Sequence, residues 1–72
     1  MTGIILRVLH GKGYGFIRDE DGHRRFFHVK DLKDGNIWLS LREGMYVEFE
    51  PKTRMAPSPQ NNGLGVEKVV IL

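Results

Sequence analysis

The 72-residue chain contains no cysteine, which removes disulfide staples and thiolate metal ligands and fits a reducing compartment, so the cytoplasm is the expected location. Long apolar runs are equally missing. The first apolar stretch, Ile4-Ile5-Leu6-Arg7-Val8-Leu9, is interrupted by Arg7 and falls far short of the roughly 18 residues of a membrane-spanning helix. With no basic segment before it and no small-residue cleavage site after it, no signal peptide is expected, and the protein is expected to be soluble. An excess of charge of one sign is missing as well. A formal net charge of +2 tolerates an anionic partner without pointing to one. Sites for chemistry are just as thin. His10, His23 and His28 show no H-x-x-x-H or similar ligand spacing, and Asp19, Glu20 and Asp21 read as a hairpin turn, so no metal is expected. Ser40 and Ser58 have no histidine near them in sequence. Gly11-Lys12-Gly13-Tyr14-Gly15 lacks the following helix that a phosphate-binding loop requires. These absences lead to the expectation of no enzyme, no catalytic residue, no cofactor and no small-molecule substrate. A chain this short buries only about 60% of its unfolded surface, which argues for one domain over 1–72 without a deep cleft.

What the chain does have is a concentration of aromatics around one turn, residues 12–28, KGYGFIRDEDGHRRFFH. Side chains alternate faces along a strand, so Tyr14 and Phe16 share a face, as do Phe26 and His28. Asp21-Gly22 between the two runs is the turn chemistry of a tight hairpin, which would bring the four rings into one patch. Gly13 and Gly15, interleaved with the rings, mark a bulge or a close approach to the backbone. The rest of the chain reads around this hairpin. Residues 3–10 form a first strand whose faces are ambiguous: Ile4, Leu6 and Val8 on one side, Ile5, Arg7 and Leu9 on the other. Gly11 to Gly13 make a flexible corner, Lys30-Asp31-Leu32 a helical turn, and Lys33 to Ser40 a loop holding Trp38. Met45, Val47 and Phe49 alternate with Tyr46, Glu48 and Glu50 as a half-buried strand. Residues 51–63, with all three prolines, read as a long loop before a last strand at Val66 to Leu72. Five short strands in so small a chain predict an all-β fold, a five-stranded antiparallel barrel that leaves no sheet edge open.

Lys12 to Ile17, KGYGFI, resembles the first nucleic-acid motif of the cold-shock domains, K-G-[FY]-G-F-[IV], and Arg25 to Val29, RFFHV, is similar to their second, V-F-V-H-[FVI]. The resemblance extends through Thr2-Gly3-Ile4, the L-x-E-G turn at Leu41 to Gly44 and the V-x-F strand at Val47 to Phe49. Beyond Pro51 the correspondence is loose, with Pro59 to Val66 resembling a lengthened form of the family's loop into the last strand. It implies an OB-type barrel that binds single-stranded RNA or DNA, with bases stacking on Tyr14, Phe16, Phe26, His28 and Trp38 and with Lys12 meeting a phosphate or base edge. Two positions depart from the pattern. The family's first strand carries K-W-F where this chain has Leu6, Arg7 and Val8, and Val29 stands where many members have another aromatic. Arg7 is expected to replace the tryptophan in part, since a guanidinium plane stacks on bases and meets phosphates.

Ordinary core packing is the competing account of Tyr14, Phe16 and Phe26, a hydrogen-bonded structural role that of His28, and a core plug beneath its loop that of Trp38. Lys52 and Arg54 read as solvated loop charges. Taken together, the expectation is a monomeric single-strand binder acting as an RNA chaperone or cold-shock-type regulator, with a dimer as the other oligomeric state. The alternative is a protein-interaction or self-associating barrel whose altered first strand, through Leu6, Val8 and Leu9, is the contact surface.

Overall fold

Five strands, β1 (Thr2–Leu9), β2 (Tyr14–Asp19), β3 (Arg24–His28), β4 (Tyr46–Ser58) and β5 (Asn61–Ile71), are joined through 3-10 turns at His10–Lys12, Val29–Asp31 and Gly35–Ser40. The structure, a computed structural model, describes residues 1–58 and 61–72, with the backbone alone described for 53–58 and 61–64. The strands close into a barrel in the order β1-β2-β3-β5-β4, the OB-type fold. Every seam is antiparallel except β3–β5, which is parallel at Arg25↔Leu64 and Phe26↔Gly65. The exception to the expected antiparallel barrel follows from the order itself. An odd number of strands cannot alternate direction all the way round a closed ring. Among the described residues no helix is long and apolar enough to cross a membrane.

The core is built from inward positions of every strand: Ile5, Ile17, Phe27, Val47, Phe49, Val66 and Val69, plugged at the loops by Leu32 and Leu41. Alternation at Val47 and Phe49 reads off the sequence directly. The ambiguity of β1 is resolved by a bulge. Ile5 pairs with Ile17, but the next pair is Arg7 with Phe16, so Leu6 is the extra residue. A bulge shifts the strand's facing by one. Ile5 therefore points inward, Val8 packs against the core, and Arg7 lies beside Phe16 on the outside.

Gly15 sits on the inner row between Val8 and Phe27. A Cβ there would stand 2.5 Å from the Arg7 carbonyl oxygen and 2.8 Å from the Phe27 ring. Because one of those contacts is backbone, the clash is relieved only by moving β1 away from β2. Gly15→Ala is expected to cost about 1–3 kcal/mol, read as a lower urea midpoint; a change under about 0.5 kcal/mol, the range of ordinary surface substitutions, would show that the seam yields freely.

Several loop expectations are corrected. The corner at Gly11 to Gly13 is a 3-10 turn over His10–Lys12 closed by Gly13 at φ 81°. The helical turn begins one residue early, at Val29, and Leu32 leaves it extended and buried. The loop at 33–40 contains a 3-10 helix, Gly35–Ser40, whose first turn is capped by the Asp34 side chain accepting from the Asn36 N–H at 3.0 Å. The largest difference is at 51–63. Here β4 continues to Ser58 and β5 starts at Asn61, paired through Met55↔Leu64, Ala56↔Gly63 and Pro57↔Asn62 after a register shift between Pro51 and Met55. Prolines argue against a central strand, but such a two-stranded ribbon extends past the barrel, where the lost donor goes unmissed. Pro59, Gln60 and the Arg54 side chain lie outside the described residues.

Candidate nucleic-acid interface

The hairpin of β2 and β3 pairs Tyr14 with His28, Phe16 with Phe26 and Arg18 with Arg24. Directly opposed residues share a face, so the four rings do line one side, and it is the outer side: Phe27 and Ile17, one residue out of phase, are fully buried in the core. The turn is built as its sequence implies. Gly22 takes φ 86°, and Asp19 N–H donates to the His23 carbonyl at 2.8 Å.

Tyr14, Phe16 and Phe26 form a mutually touching triad, with ring centroids 5.5 Å apart for Tyr14–Phe26 and 6.0 Å apart for Tyr14–Phe16 and Phe16–Phe26. Tyr14 and Phe26 are half-buried. Phe16 is only 4% exposed, and the guanidinium of Arg24 stands 4.3 Å above its ring. Packing on one another without entering the core is what holds these large apolar side chains ordered on a solvent face.

His28 joins the row with a fixed orientation. Its Nδ1 accepts from the Lys30 N–H at 3.1 Å, and its own N–H donates to Asp31 Oδ2 at 2.8 Å. Asp31 is anchored in turn by Lys52 Nζ at 3.0 Å, so Lys52 has a partner rather than being a free loop charge. With Nδ1 occupied as acceptor, the neutral ring carries its proton on Nε2, which is left as a donor. Arg7 and Lys12 are both exposed. Arg7 is opposite Phe16, and Lys12 ends the turn leading into β2.

Trp38 is not brought to this cluster. Its ring meets the edges of His10, at 5.2 Å, and Phe27, at 6.2 Å, and it packs on the core side while its carbonyl accepts from His10 Nε2 at 3.2 Å. Its partial exposure leaves an edge in solvent, but the described geometry fits the core plug. Of the aliphatic surface in β1, Leu6 is 37% exposed whereas Val8 faces inward, so the contact surface expected of Leu6, Val8 and Leu9 is broken in the middle.

Sequence reasoning missed Arg25. The position matches a valine in the family motif and points inward, and its guanidinium is buried with Nε 2.7 Å from Asp19 Oδ2 and Nη1 3.2 Å from the Gly65 carbonyl. Asp19 Oδ1 accepts from the N–H groups of Asp21 and His23 at 2.9 and 2.8 Å. A basic residue in a core register, six positions from an acid across a turn, was the available signal. Asp19, Asp21 and His23 do place ligand atoms within 4.8 Å of one another, but both oxygens of Asp19 are already engaged.

Two comparisons bear on this arrangement. Residues 1–64 match the family model described as the 'cold-shock' DNA-binding domain. The cold shock-like proteins CspB of Yersinia pestis and of Yersinia enterocolitica are each 41% identical over 49 residues, which is 68% of this chain and 70% of theirs.

Proposed function

Since the chain belongs to the cold-shock domain family, whose members bind nucleic acid, we propose that it binds single-stranded RNA or DNA by stacking bases on the outer face of the β2–β3 hairpin. One observation carries the reading: Tyr14, Phe16 and Phe26 touch one another outside the core. Half-exposed Tyr14 and Phe26, side by side on this face, give solvent an apolar surface of the kind that marks a binding site. Tyr14, Phe26 and His28 are the platforms, with Arg7 and Lys12 meeting phosphate or base edges. Phe16 packs against both Tyr14 and Phe26. Trp38 contributes through the core that holds the hairpin. The site has fewer open platforms than the motif comparison implies, because Arg7 replaces a ring and Phe16 is covered.

Stacking one base on an aromatic side chain contributes about 1–3 kcal/mol and accepts any base. Duplexes hide those faces. Preference for unpaired strands is sufficient for RNA-chaperone action, since it draws hairpins toward their open form, and it needs neither catalysis nor a second subunit. We assign the protein to the cytoplasm, as a monomer. Fluorescence anisotropy with labelled hexathymidylate and a duplex of equal length tests the reading. The single strand is expected to bind at least about tenfold more tightly, equivalent to roughly 1.4 kcal/mol, with a shallow salt dependence because few phosphates are neutralised. Equal affinities, or a slope indicating many released counterions, would contradict it.

A further inference from the structure

Phe16 presents an unusual combination. It lies on the outer face and outside the contiguous core cluster, yet it is 4% exposed. Part of its cover is the edges of Tyr14 and Phe26. Another part is cationic: Arg24 Cζ stands 4.3 Å from the ring centroid, at stacking range. A base approaching Phe16 therefore meets a guanidinium first.

Arg24 is itself exposed, so the far side of its guanidinium is open to solvent. It belongs to a small group of like charges. Arg18 is its partner in register on β2, and Arg7 flanks Phe16 from β1. Arg7, Arg18 and Arg24 form no ion pair with a described residue; the pairs present are Asp19 with His23 and Arg25, Asp31 with Lys52, and Glu50 with Lys68. Their charge is thus available to an incoming anion on the face that carries the rings.

Resting on the single-strand reading above, we propose that Arg24 is a further nucleic-acid contact. Its guanidinium, held over Phe16, gives a base a cationic platform in place of the covered ring, while its in-plane N–H groups donate to an adjacent phosphate. Arginine suits this role because, besides its charge, it is planar and carries five donors in a fixed fork, and lysine reproduces neither the plane nor the fork. Guanidinium planes are established stacking partners for unpaired bases. The interface therefore extends from the Tyr14–His28 end of the hairpin toward its turn.

Binding of labelled hexathymidylate, and of an abasic hexamer carrying the same phosphates, is measured for the wild type, Arg24→Ala, Arg24→Lys and Tyr14→Ala. Circular dichroism first establishes that each variant is folded. Arg24→Ala is expected to weaken hexathymidylate binding at least about fivefold, the lower range for loss of one stacked base, and to weaken abasic binding less. Arg24→Lys is expected to recover only a minor part of the loss, because it restores charge without the plane. Three results overturn the proposal: Arg24→Ala binding as tightly as the wild type or more so, Arg24→Lys equal to the wild type, or equal losses on both probes. If Tyr14→Ala loses affinity while Arg24→Ala does not, this inference alone fails. If the wild type binds neither probe, or Tyr14→Ala leaves hexathymidylate binding unchanged, the single-strand reading fails and takes this inference with it.

Discussion

Asp19→Ala is expected to destabilise the barrel by about 3–5 kcal/mol, the usual consequence of leaving one member of a buried ion pair without its partner. For a domain of this size that is a large part of the folding free energy. The Asp19 side chain is fully buried and that of Arg25 is 9% exposed, so water cannot replace the lost carboxylate at Arg25 Nε. Two backbone N–H groups in the turn, from Asp21 and His23, lose their acceptor in the same step. The double variant Asp19→Ala/Arg25→Val is expected to be more stable than Asp19→Ala alone, because it removes the stranded charge and places a β-branched apolar residue at an inward position. A double-mutant cycle by urea denaturation isolates the coupling between the two side chains.

The same pair sets an acid limit. Burial pushes the Asp19 carboxyl up, but the Arg25 hydrogen bond, the His23 and Asp21 N–H groups and the Arg25 charge together outweigh it, holding the group below its ordinary value of 3.8. The unfolded chain therefore takes up this proton first on acidification. Stability from Asp19 is complete above the unfolded value and is lost as pH falls through the lower folded value. The gap between wild type and Asp19→Ala should be widest near neutrality and shrink as pH falls below the ordinary carboxylate value toward the lower folded one. A gap constant from neutral to strongly acid pH, or one below about 1 kcal/mol at neutrality, the range of an exposed ion pair, would show that the pair is not the structural lock described.

The parts of the molecule legible in the sequence are those governed by local pattern. Period-two alternation placed Val47 and Phe49 inside, and Asp21-Gly22 placed the hairpin, which in turn put Tyr14, Phe16, Phe26 and His28 on one face. What escaped is set by contacts between distant segments. The Leu6 bulge depends on pairing β1 with β2, so no reading of residues 3–10 alone decides which side of β1 is buried. Asp19 and Arg25 each look like surface residues until the turn brings them together at 2.7 Å. Trp38 could be assigned to the patch or to the core from its position beside the L-x-E-G turn, and its packing on Phe27 and His10 comes from segments distant in the sequence. Phe16 shows the converse limit: its face was readable, but its cover by Arg24, eight residues away across the hairpin, was not.

The second large effect concerns binding. Tyr14 and Phe26 are the half-exposed members of the triad, with ring centroids 5.5 Å apart, and neither is part of the core. Removing both takes away two stacking platforms at about 1–3 kcal/mol each, so Tyr14→Ala/Phe26→Ala should bind a single strand at least about 30-fold more weakly, the equivalent of roughly 2 kcal/mol. Because these rings pack on each other rather than on Ile17, Phe27 or Val66, the barrel should remain folded. The lost affinity should sit in base contacts and not in charge, since Arg7, Lys12 and Arg24 are untouched. The decisive measurement is therefore the anisotropy titration of hexathymidylate, at one fixed salt concentration, with wild type and Tyr14→Ala/Phe26→Ala, both confirmed as folded. Tight wild-type binding that falls at least about 30-fold in the variant is the predicted result; a variant that binds the single strand as well as the wild type would contradict the account.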